Sequence, residues 1–381
     1  MPLTVGKLFN MQYVYVTDAN ELPAIVASCR QKSAVAIDTE FARTNTYYPI
    51  VGLVQIFDGE ACYLIDPVAI PDLAPLADLL ADPNVIKVLH ACSEDIEVFC
   101  DCLGVVPEPI FDSQIAAALL GAGFSVSYQN LVNHYLEIMV PKEETRSDWL
   151  QRPLTDSQLD YAALDVIHLL AVYELQLVQL AENSRADWVD TECSTLAQNI
   201  PTQIDPDDYY KKVKNLWRLD PRQLYLLQQL CAWRERTARE RNLPRNRVVD
   251  EKALFQIAAL GLRDRKDFRD RAEVTSRQLR HHADDLEQLV ADSEAVDSDS
   301  LPEAITKPSS PVSNKVLRTL KDVVESRAKD LNIAPEMLAK RRHLEQFIRS
   351  EDEKGEFHLP LALKGWRESV IGEQLILEIS K

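Results

Sequence analysis

Between residue 34 and about residue 180 the chain alternates short β-rich runs with stretches of helical periodicity; beyond about residue 205 the strand signals stop. AVAIDTEF (34–41), IVGLVQIF (50–57) and ACYLID (61–66) read as strands separated by turn residues, with Pro49 in the first gap and Asp58-Gly59 in the second. A helix is expected over 72–81, a strand in VIKVLHA (85–91), and a helix over 93–104 that Gly104 closes. The stretch 155–180 opens on Thr155 and Gln158, spaced as a capping box, and repeats apolar residues at helical intervals. Three consecutive strands followed by strands with crossing helices predict an α/β domain, a mixed sheet covered by helices. The remainder predicts two all-α helical bundles. The expected divisions are 1–205 for the α/β domain, 206–292 and 314–381 for the helical domains, and 293–313 for a Ser-, Asp- and Pro-rich linker.

The two helical regions are related. Shifted by 90 positions and without a gap, 238–257 lies over 328–347, with identical residues at 238/328, 242/332, 254/344 and 256/346. This pattern points to a duplicated helical module.

Hydrophobic residues at 46% and charged residues at 27% fit a globular chain. No apolar run reaches the roughly 18–20 residues needed to cross a bilayer, and the opening stretch lacks signal-peptide features, so a cytoplasmic protein away from membranes is expected. The seven cysteines are scattered and odd in number, which suits reduced thiols and neither a disulfide scaffold nor a zinc site. Net charge is −18 but unevenly spread. Residues 1–200 hold 9 Lys and Arg against 28 Asp and Glu, whereas 211–250 hold 11 against 4. An acidic half calls for cations, and a basic segment suits phosphate.

Four acids stand out. On a strand, Asp38 and Glu40 share one face about 7 Å apart, with Val35, Ile37, Thr39 and Phe41 on the other. Two such acids among apolar neighbours repel each other and resist burial, and a divalent cation relieves both penalties; a solvated edge strand would also accommodate them. Asp95 falls in the first turn of the helix after strand 85–91, where the helix dipole alone also favours an acid. Asp165 lies among apolar residues four positions after Tyr161, on the same helix face, and His168 extends that stripe as a packing residue.

Together these residues resemble the DEDDy exonuclease superfamily, with Asp-x-Glu, a second Asp, and Tyr-x-x-x-Asp in order. The likeness is closer to the ribonuclease D family, carried by DTEFARTNTYYPIVGLVQIFDG (38–59), LHACSEDIEVF (89–99), TRSDWLQRPLT (145–155) and YAALDV (161–166). Residues 210–290 look like a helicase-and-RNase-D C-terminal (HRDC) domain, and the distal repeat like a second. The resemblance implies a ribonuclease-H-like fold and 3′→5′ hydrolysis of RNA to 5′-mononucleotides, in maturation of precursor tRNA 3′ ends and other small structured RNAs. It implies two divalent ions, Mg²⁺ or Mn²⁺, with Asp38, Glu40 and Asp165 on one, Asp38 bridging to the second, and Asp95 supporting it. Tyr161 would orient the attacking water. No nucleotide cofactor is expected, and the absence of a P-loop excludes a helicase.

Phe41, Arg43, Tyr47 and Tyr48 are candidates to stack on or steer terminal nucleotides, or to pack. His90 and Arg146 are candidates for phosphate contact. The arginines at 234, 236, 239, 241, 245 and 247 read as an RNA-facing stretch. A DNA exonuclease with the same chemistry and a non-catalytic RNA-binding protein remain the competing readings, since nothing in the motifs reads the 2′-OH.

Overall fold

The structure is a computed structural model that describes residues 13–140, 147–199, 204–305 and 314–380. It divides into two compact units, one of residues 1–42, 51–200 and 312–381, the other of residues 43–50 and 201–311.

The first unit holds a six-stranded mixed sheet in the order β1-β4-β3-β2-β5-β6, built from β1 (Tyr13–Val16), β2 (Ala34–Ala42), β3 (Ile50–Phe57), β4 (Cys62–Ile65), β5 (Ile86–Leu89) and β6 (Ile110–Asp112). β2, β5 and β6 run parallel, as do β1 and β4, while β3 and β4 are antiparallel. β3 and β4 meet at the expected Asp58-Gly59 turn, where Gly59 takes φ 90° and the Asp58 carboxylate accepts the amides of Glu60 and Ala61. Helices α1 (Leu22–Cys29), α2 (Ala74–Leu80), α3 (Ser93–Leu103), α4 (Ser113–Leu119), α5 (Tyr128–Leu136), α6 (Asp156–Glu182) and α7 (Ala186–Asn199) surround it. Apolar residues from both sides of the sheet and from α6 share one core.

α6 begins on the predicted capping box, with Thr155 and Gln158 bonded reciprocally. It is long and apolar enough by composition to cross a membrane, although Asp165 and Glu174 interrupt it, and most of that stretch is buried in the protein. It packs against β2, β4 and β5. β1, β6, α1, α4, α5 and α7 were not foreseen.

In the second unit, α8 (Pro221–Glu240), α9 (Arg245–Val248), α10 (Glu251–Leu260), α11 (Arg265–Ala272) and α12 (Ser276–Ala295) enclose a separate core. α12 runs into the stretch expected to be linker. Residues 43–50, expected within the α/β domain, belong to this unit. Tyr47 is buried in its core and its hydroxyl donates to Glu235, a fully buried carboxylate also gripped by Arg245 and Arg239. Asn242 accepts the amides of Tyr47 and Tyr48, both at 3.0 Å.

The C-terminal module comprises α13 (Asn314–Leu331), α14 (Pro335–Leu338), α15 (Arg341–Ile348) and α16 (Glu373–Ile379). The duplication shows in its geometry. Asn242 and Asn332 both adopt left-handed φ, 48° and 49°. Ala238 O accepts from Leu243 N at 2.9 Å, and Ala328 O from Ile333 N at 3.0 Å. α9 and α14 then coincide at the same 90-residue shift.

This module is packed onto the α/β domain. Trp366 stacks on Trp188 with ring centres 4.4 Å apart, and Arg367 makes a two-pronged pair with Glu192 at 2.7 and 2.6 Å. Ala334 N donates to Ala118 O. Arg185 donates to both Leu119 O and Leu331 O. A Cβ on Gly121, which has φ 82°, would lie 2.6 Å from Asn332 O, so only glycine permits this approach.

Candidate active site

Alternation along β2 and the helical position of Asp165 bring three carboxylates together: oxygens of Asp38, Glu40 and Asp165 all lie within 4.8 Å of one another. Asp165 is buried in α6, and its Oδ1 has no hydrogen-bond partner. Burial, and then the charges of the neighbouring acids, push the Asp38 and Glu40 carboxyls well above the usual carboxylate range. Asp165 is raised by burial, against a hydrogen bond from Tyr161. Such a group holds protons unless a cation takes their place. An acidic, all-oxygen donor set with an orphaned buried oxygen fits a hard divalent ion.

Asp95 occupies the first turn of α3, as expected, and is buried. Its charge acts on Asp38 and Glu40, yet it stands outside the close trio. Its Oδ1 accepts the Thr39 hydroxyl at 2.5 Å, and burial raises its carboxyl too. Simple alternation assigned Thr39 to the face away from the acids; its hydroxyl nevertheless reaches an acid of the site.

Tyr161 is half-buried, beside Trp149 with ring centres 6.2 Å apart. Burial and then Asp165 and Glu40 raise its phenol, so it stays protonated. Trp149 closes against β3, because a Cβ on Gly52 would fall 2.5 Å from Trp149 O. Arg152 fixes the same segment through Asp66 and Gly52 O, the latter at 2.7 Å. Tyr128 was missed by the sequence reading. It opens α5, donates to Leu164 O at 2.8 Å, and feels the charges of Asp165 and Asp38. No local pattern links it to acids that far along the chain.

The softer candidates divide. Both nitrogens of His90 are engaged, Nδ1 with Ser113 Oγ at 2.9 Å and Nε2 with Val126 O at 3.1 Å, and burial depresses its basicity. Phe41 is half-buried against the core of the first unit. Arg43 donates to Tyr47 O, and Tyr48 stands edge-on to Tyr47 at 4.8 Å within the second unit. Arg146 lies outside the described residues. His168 is buried packing, as expected, with Nδ1 unpartnered.

The arginine stretch divides, and for three of its six members the expectation is corrected. Arg234 is 2% exposed and donates to Val249 O, while Arg239 and Arg245 are committed to Glu235 and Tyr47. Arg236 pairs with Asp207 and Arg247 with Asn45. Arg234, Arg239 and Arg245 therefore hold the unit together, whereas Arg236, Arg241 and Arg247 are exposed.

The 3′-5′ exonuclease family matches residues 13–180, the HRDC domain family residues 223–290, and the ribonuclease D C-terminal HRDC domain family residues 311–375. Ribonuclease D of Pseudomonas paraeruginosa is 42% identical over 362 residues, covering 95% of this chain and 96% of that protein. The chain belongs to the ribonuclease D family. Ribonuclease D of Escherichia coli K12 is 36% identical over 370 residues, covering 96% of this chain and 98% of its own. The crystal structure of Escherichia coli RNase D, an exoribonuclease involved in structured RNA processing, superposes with a TM-score of 0.89 at 34% identity over 97% of this chain and 99% of that one. As a ribonuclease D family member the protein is a 3′-5′ exoribonuclease, with a mixed-sheet catalytic domain and helical HRDC domains.

Proposed function

We propose that the chain trims precursor tRNA and other small structured RNAs from their 3′ ends in the cytoplasm, hydrolysing phosphodiesters with two divalent cations and releasing 5′-mononucleotides. The carrying observation is the trio Asp38, Glu40 and Asp165 within 4.8 Å, protonated when left to itself and containing an unpartnered buried oxygen. Asp38, Glu40 and Asp165 would hold one cation, and Asp38 with Asp95 the other. Bound there, Mg²⁺ or Mn²⁺ would make water acidic enough to attack near neutral pH and offset charge growing on the phosphate oxygens.

The chain's own residues supply order. Asp165 orients the Tyr161 hydroxyl, and the raised phenol acts as a hydrogen-bonding guide for the attacking water, not as a base. Thr39 restrains the rotamer of Asp95 through Oδ1. Trp149 and Arg152 brace the wall beside Tyr161 against β3.

A time course on 5′-labelled, tRNA-like RNA with a short 3′ extension, in Mg²⁺, tests this reading. It predicts a ladder that shortens one nucleotide at a time and stops near the folded body. Intact RNA in both Mg²⁺ and Mn²⁺, with a matched DNA strand degraded, would replace it with a DNA exonuclease.

A further inference from the structure

α3 carries Asp95 but lacks the means to fix its own start. The residue before it, Cys92, caps no amide with its side chain, and Ala91 before that is left-handed at φ 54°. A non-glycine residue in that conformation persists only where surrounding bonds dictate it. Those bonds come from β6. Asp112, its last residue, pairs in register with Leu89 of β5 and is 2% exposed. Its Oδ1 accepts Ala91 N at 3.1 Å, and its Oδ2 accepts Cys92 N at 3.0 Å. The same Oδ1 also accepts Gln114 N at 2.8 Å and Ile115 N at 3.3 Å, capping α4. One buried carboxylate thus receives four amides and ties the turn leading to Asp95 to the start of a second helix. The neighbouring Ser113 adds a latch on His90, and the amide of Asp112 itself donates to Cys193 Sγ on α7 at 3.3 Å.

We propose that Asp112, assisted by Ser113, is the positioning residue that aims Asp95 at the cation site. The proposal rests on the reading of Asp95 as a cation ligand. Asp112 touches no reacting atom. It dictates where α3 begins, and Asp95 is the third residue of that helix. The His90-Ala91-Cys92 and Asp112-Ser113 segments form a closed clamp between the ends of two parallel strands. This accounts for His90, whose two nitrogens are spent inside the clamp and its surroundings.

Asp112→Asn isolates the effect. The amide oxygen can still cap α4 and accept from Ala91, while the amide NH₂ meets Cys92 N with no acceptor to offer. Asp112→Asn, Ser113→Ala and Asp95→Asn are compared with the unmodified full chain in Mn²⁺ titrations by calorimetry and in kcat and KM on a single-stranded oligoribonucleotide. The expected result for Asp112→Asn is a half-saturating Mn²⁺ concentration raised by about tenfold to a hundredfold. KM for RNA should hold, and excess Mn²⁺ should restore part of kcat. A folded Asp112→Asn with unaltered Mn²⁺ half-saturation and kcat, beside an inactive Asp95→Asn, overturns the clamp and leaves the site reading intact. Full activity in Asp95→Asn overturns the site reading and the clamp with it. If Asp112→Asn does not fold, Ser113→Ala decides: a smaller shift in the same direction supports the clamp, and unchanged Mn²⁺ half-saturation overturns it.

Discussion

Cation binding by this protein should expel protons, and the number can be worked from the site. Oxygens of Asp38, Glu40 and Asp165 lie within 4.8 Å. At that limit, and with an effective dielectric near 20, each ionised pair costs at least about 3 kcal/mol, or roughly two and a half pK steps. Burial is the larger cause: it alone raises Asp165, to about 7, and together with the neighbouring charges it raises Glu40 to about 9. The metal-free site therefore carries at least one proton at neutral pH, and a divalent ion must displace it. Apparent Mn²⁺ affinity should tighten about tenfold per pH unit for each proton released. The same shifts set a stability trend. Groups raised on folding stabilise the metal-free protein fully below their unfolded values, and that contribution is lost as pH climbs through their folded ones. Melting of chelator-stripped protein should therefore fall from about pH 4 up to about pH 9, most steeply below about pH 7, and saturating Mn²⁺ should remove the slope. Calorimetry in two buffers of different ionisation enthalpy counts the protons directly. Affinity that is flat across pH 6–8, or weaker at pH 8, would refute the reasoning.

Asp165→Asn should abolish both the Mn²⁺ stabilisation and RNA hydrolysis while the fold survives, as read by circular dichroism and the gel assay. Glu235→Ala should destabilise the second unit by about 3 kcal/mol or more, because it strands Arg239 and Arg245 around Tyr47; denaturant titration measures it. Gly52→Ala should cost about 1–3 kcal/mol, since the new methyl meets a backbone oxygen that cannot move aside. Arg367→Ala should lose about 2 kcal/mol of charged hydrogen bonding to Glu192, and limited proteolysis should then cut near the C-terminal module faster.

What could be read from sequence was what local periodicity encodes. The capping box at Thr155 and Gln158, the Gly104 stop and the 90-residue repeat are all short-range signals, and each has its geometric counterpart. β1 and β6, with four and three residues, are too short to display an alternating pattern. Asp38 and Glu40 were legible because a strand forces i and i+2 to one side. Thr39 was assigned away from the acids because alternation says nothing of the helix that brings Asp95 to it. The arginines misled for a related reason: composition counts charges but not partners. Glu235 pairs with Arg239 and Arg245 from within the stretch, and Tyr47 joins them from 188 positions before Glu235, where no window sees both.

The eight residues 43–50 also bear on how such a chain is made. They follow the catalytic strand directly, yet their partners Glu235, Asn242 and Arg245 emerge from the ribosome almost two hundred residues later. A nascent chain can pair β2 with β5 early, but it must keep Tyr47 waiting, its ring exposed to water, until α8 and α9 exist. Completion of the segment leaving the active-site strand is thereby tied to synthesis of the first helical module, and a chain truncated before residue 245 is predicted to be a substrate for chaperones and not an enzyme.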